Sequence, residues 1–101
     1  MSEGFSFSFD VELWAWEAQD SWFFVTVPSE ISEEIGVRFG TRAAGFGSIR
    51  VEVSIGATTW RTSVFPDKKR GAYVLPVRKQ VRKAEGLEGG SRATVALRVV
   101  A

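Results

Sequence analysis

Apolar and polar residues alternate at the start of the chain: Phe5, Phe7, Phe9, Val11 and Leu13 fall on one side, Ser6, Ser8, Asp10 and Glu12 on the other. Successive side chains of a strand point to opposite faces, so this period of two predicts a strand with one buried face. After an acidic turn at residues 17 to 20, Trp22, Phe23, Phe24, Val25, Thr26 and Val27 are apolar almost throughout and too few for a typical helix. They read as a strand covered on both faces, paired with the first segment as a hairpin. Pro28 ends it, and acids in the following turn with Ile31 and Ile35 four apart predict a short helix over residues 28 to 38, stopped at Gly36.

Residues 40 to 48 form a glycine-rich loop that resembles a phosphate loop only superficially, because no Lys-Ser/Thr pair follows and the next element is a strand. Ile49, Val51, Val53 and Ile55 then alternate with Arg50, Glu52 and Ser54 up to Gly56-Ala57, a two-residue loop suited to a type II′ hairpin. That register sets Ile55 against Thr58, Val53 against Trp60, Val51 against Thr62 and Ile49 against Val64, with Glu52 opposite Arg61 and Arg50 opposite Ser63 on the outer face. A turn over residues 66 to 71 leads to a short strand at residues 72 to 75. Pro76 fits the first turn of a second helix over residues 76 to 85, with Val77, Val81 and Ala84 inward and Gly86 as its stop. Ala93, Val95, Leu97 and Val99 alternate to give a last half-buried strand. Six strands and two short helices in about 100 residues suggest a mainly β fold, a small barrel whose closure removes exposed edges.

Composition narrows the chemistry. The chain has 101 residues with neither cysteine nor histidine, which removes disulfides, thiol nucleophiles, imidazole bases and the usual nitrogen and sulfur ligands of transition metals. No cofactor, metal or catalytic set is therefore expected. The reading is one domain over residues 1 to 101, with 1 to 4 a loose tail. An early acid in place of a basic, apolar leader and the lack of a long apolar run point to a cytoplasmic protein with no membrane contact.

Charge is unevenly spread although the net is +1. Residues 1 to 60 hold nine acids and three bases, whereas residues 61 to 83 hold eight bases and one acid. Lys68, Lys69, Arg70, Arg78, Lys79, Arg82 and Lys83 form the basic set, which is either a solvated face or the surface for an anionic partner: nucleic acid, a phosphorylated ligand or an acidic protein. Arg61, Ser63 and Tyr73 are candidates for a ligand pocket, and on that reading the chain is an enzyme or an enzyme accessory domain. Glu52 beside Arg61 offers the plainer account, a surface ion pair. Trp14, Trp16 and Trp22 make either a stacking platform for bases or sugars or a small cluster roofed by the first helix, and the roof is expected because large aromatics are rarely left exposed. A structural homodimer is a third role.

Leu13-Trp14, Phe24-Val25 before Pro28, Gly45-Phe46-Gly47, Ile55-Gly56, Trp60-Arg61-Thr62-Ser63-Val64-Phe65-Pro66, Tyr73-Val74-Leu75-Pro76-Val77 and Val81-Arg82-Lys83-Ala84-Glu85-Gly86 resemble the bacterial domain of unknown function numbered 1905. The likeness covers nearly the whole chain and is most specific in Trp-x-Thr-Ser-x-Phe-Pro and Leu-Pro-Val. It implies a double-split β-barrel, the architecture of the dimeric DNA-binding domains of transition-state regulators and antitoxins, and it implies no known activity. Gly89-Gly90-Ser91 stands where that family has Gly-Asp before its last strand. Ser91 can make the same local turn bond, so the turn is expected to persist.

Overall fold

The computed structural model describes residues 6–16, 19–43 and 45–100. The tail expected over residues 1 to 4, and residues 17 and 18 of the acidic turn, lie outside them.

The opening alternation forms β1 (Ser6–Glu12), with Phe9 buried, Phe7 and Val11 packed on the core, and Ser6, Ser8, Asp10 and Glu12 outward. At Leu13 the chain changes partner. β1 pairs with the last strand, β7 (Arg92–Val99), whereas β2 (Trp14–Trp16) pairs with β3 (Gln19–Thr26). The expected hairpin thus forms only through the short second half, and one predicted strand becomes two. Leu13 marks the break with its backbone: its N–H donates to the Ser91 carbonyl at 2.8 Å, and its carbonyl accepts from Gly90 N–H at 2.8 Å. The turn before β7 persists as expected, with Ser91 Oγ accepting from Glu88 N–H at 3.0 Å.

β4 (Ile49–Ile55) and β5 (Thr58–Asp67) pair in the register read from the sequence, from Ile55 opposite Thr58 to Ile49 opposite Val64. Gly56 holds φ at +58°, which the hairpin loop requires and a side chain resists. The end of β5, Phe65 to Asp67, turns away from β4 and pairs with β6 (Ala72–Pro76), which in turn pairs with β3. Seven antiparallel strands result, in the order β1-β7-β4-β5-β6-β3-β2. Bends at Leu13 and at Val64 curl them into a half-barrel around a core that includes Leu13, Val25, Val53, Val64, Leu75 and Val95. Trp60 sits half-buried against this core, opposite Val53 as expected.

The first helix, α1 (Ser29–Phe39), runs past Gly36, because Phe39 supplies another buried contact one turn beyond Ile35. Its Ser32 hydroxyl donates to the Val27 carbonyl and accepts from Tyr73 N–H, both at 3.0 Å, tying the helix to β6 and to the chain just after β3. Two short 3-10 turns, Gly40–Arg42 and Gly45–Gly47, occupy the glycine-rich loop. The second helix, α2 (Lys79–Glu85), starts later than read. Pro76 is the last residue of β6, opposite Phe24, and not a helical first turn. The fixed φ of proline suits an extended strand end as well as a helix start. Gly86 ends α2 in the left-handed region, and Glu85 reaches the hairpin base, accepting from the Thr58 hydroxyl at 2.5 Å.

Candidate functional site: an aromatic groove with a cationic rim

Along β3 and at Val27 just after it, Phe23, Val25 and Val27 turn inward, so Trp22, Phe24 and Thr26 stand on the outer face. Cross-strand register extends that face in two rows: Trp14, Phe24 and Pro76 lie opposite one another, as do Thr26, Val74 and Phe65. Among the described residues no helix roofs them. α1 packs Ile35 and Phe39 into the core on the other side, correcting the expectation of a covered tryptophan cluster. Trp16 remains 42% exposed, Trp22 51% and Phe65 38%. The face forms a groove of about 820 Å³.

The rings are not equivalent. Trp14 is engaged within the protein: Phe24 stacks on it at 5.1 Å, Arg70 lies 3.7 Å from its ring centre, and its Nε1–H donates to Thr26 Oγ1 at 2.9 Å. Trp16 and Trp22 stand 5.4 Å apart and splayed by 42°, leaving ring surface open to solvent.

Cations border the groove from two sides. Arg70 comes from the turn after β5, and Arg78, Lys79 and Arg82 come from the start of α2. Arg82 is half-buried, its guanidinium 4.1 Å from the Phe23 ring centre and its Nε–H donating to the Val77 carbonyl at 3.2 Å. It is thus a packing residue as well as a charge, unlike the wholly solvent-facing side chain its helix position suggests. Lys83 lies beyond the groove in an adjoining shallow depression of about 380 Å³, which shares Lys79 and Arg82 with it. Lys68 and Lys69 are exposed in the turn and line neither cavity.

Asp67 is the one acid among the described lining residues of the groove, and it is spent on the turn. Its carboxylate accepts from Lys69 N–H at 3.0 Å, Arg70 N–H at 3.3 Å and the Arg70 guanidinium at 3.0 Å. Partial burial pushes its pKa up, but these bonds, led by the Arg70 backbone, outweigh it and hold the carboxyl below the usual aspartate range. A depressed folded-state value means this stabilisation is complete above the unfolded pKa of about 3.9 and fades as pH falls through the lower folded value. Acidification below about pH 4 is expected to loosen Arg70 from Trp14 and change tryptophan emission, a component missing in Asp67→Asn. Identical acid titrations of the two proteins would refute the coupling.

The other candidates line neither of these cavities. Arg61 faces outward on β5 and pairs with Glu52 at 3.7 Å, and Arg98 of β7 reaches the same carboxylate at 2.6 Å. The Arg98 hydrogen bond is the main reason the Glu52 carboxyl lies below its usual range. Ser63 lies opposite Arg50 on the same outer face. Tyr73 points inward, packs on the core beside Gly36 of α1, and has its phenol pushed above the usual pKa by burial. Neither cavity is lined by any of the three. Among the described residues no group of acids could hold a metal ion, and no helix is long and apolar enough to cross a membrane.

Fold and surface together define a mainly β half-barrel that carries an open aromatic groove on one outer face. The chain belongs to the family described as a domain of unknown function, DUF1905, whose family model matches residues 9–97. No curated protein is a significant match to it.

Proposed function

We propose that this protein is a binding module whose outer groove takes an anionic ligand carrying a flat aromatic group. The observation that carries the reading is the convergence of exposed Trp16, Trp22 and Phe65 with Arg70, Arg78, Lys79 and Arg82 around one groove. Its volume falls within the roughly 300 to 1,000 Å³ of small-molecule sites. An aromatic floor gains from stacking a planar ring, and a positive rim gains from negative charge. Among anionic partners, nucleic acids and nucleotides use both features, whereas an acidic protein surface uses only the second. A cytoplasmic location goes with this reading, since such ligands are abundant there.

Tryptophan fluorescence on titration with adenosine monophosphate, and with uncharged adenosine, tests it. The charged compound is expected to bind at least about tenfold more tightly, because desolvated charge-assisted contacts contribute more than neutral ones. Arg78→Glu combined with Lys79→Glu should remove that difference without unfolding the domain, since both side chains are exposed. Equal affinity for the two compounds would reject the reading.

A further inference from the structure

Resting on that reading, we infer that the occupant is a single strand of nucleic acid spanning several nucleotides, held by stacking and phosphate contacts with little preference for sequence. Length is the first argument. Phe65 and Trp22 lie on strands two apart in the sheet, and Thr26, in register with Phe65 through Val74, is four residues beyond Trp22. Strand spacing and rise put them on the order of 15 Å apart, more than one base spans.

The cations give the second argument. They do not stop at the groove, because Lys79 and Arg82 are shared with the depression that adds Lys83. One nucleotide filling the groove would leave that continuation unused, whereas a strand leaving it passes over α2 with its phosphates against Lys79 and Lys83.

Ring availability is the third. Trp16 and Trp22 touch each other, and Trp16 meets Phe24 edge-on, yet both keep exposed ring surface for bases, while Trp14 and Phe24 form a floor already stacked on itself. Duplexes bury their base faces, so only an unpaired strand can use such rings. Apart from the cations, Asp67 and the indole N–H groups, the described lining is apolar, with no side-chain amide or hydroxyl to read base edges. Stacking accepts every base.

Intrinsic fluorescence and gel retardation with a ten-nucleotide single strand, its annealed duplex and adenosine monophosphate test this. The strand is expected to bind at least tenfold more tightly than either, with a log-log salt slope of about −0.7 per phosphate contacted. Trp22→Ala should weaken it by about five-fold to a hundred-fold, and Lys83→Glu should weaken the strand but not the mononucleotide. A strand no tighter than the mononucleotide, or a duplex bound equally well, overturns the inference and leaves the preceding reading standing. Binding of neither overturns both. A self-associated protein that becomes monomeric with Trp22→Ala would identify a second copy as the occupant and also overturn it.

Discussion

Leu13→Ala is expected to cost about 2 to 5 kcal/mol, the range for truncating a buried leucine in a core that cannot fully collapse. Leu13 is 1% exposed and lies where one segment stops pairing with β7 and begins pairing with β3. Collapse is limited because its backbone is held on both sides by the loop before β7, through Ser91 and Gly90. Those bonds survive the substitution, so the loss reports packing at the bend. For a domain near 100 residues, each kcal/mol lowers Tm by about 4 to 8 °C, making the shift plain in thermal or urea unfolding. A variant as stable as the parent would mean that the half-barrel does not turn through this residue.

Ser32→Ala is expected to cost about 2 to 6 kcal/mol, because a buried donor or acceptor left unpaired costs roughly 1 to 3 kcal/mol and this change leaves two. The hydroxyl is 5% exposed, donating to the Val27 carbonyl and accepting from Tyr73 N–H. No other side chain joins α1, β6 and the chain just after β3 in this way among the described hydrogen bonds. Ser32→Thr retains the hydroxyl and should recover part of the loss. Equal urea midpoints for parent and Ser32→Ala would show that water satisfies both groups.

Such features differ in how far the sequence announces them. The β4–β5 register was legible pair by pair, since Gly56-Ala57 fixes the hairpin and the period-two pattern fixes the faces. Local signals of this kind involve residues within a few positions of one another. The partner change at Leu13 was not legible, because a strand that swaps neighbours keeps its extended backbone and, up to Leu13, its alternation. Pro76 misled for a related reason: its φ is compatible with both readings, and only pairing with Phe24, some fifty positions away, decides between them. The site followed the same division. Tryptophans and cations were each visible as groups, but β3 against β6 is what brings them to one groove. One signal lay in the composition of β3, apolar on both faces: Phe23 and Val25 pack on the core, and Trp22 and Phe24 are left on the groove surface.

Ser6 lies opposite Arg98, so the outer ends of the first and last strands stand side by side, about 5 Å apart between Cα atoms. A fold whose first and last strands end side by side can be spliced into a loop of another protein without prying that loop open. The closure entropy added to the host grows only slowly with the length of the insert. Neither the groove nor its rim lies at that junction, so both would stay open to solvent while the half-barrel served as a side branch of a larger chain.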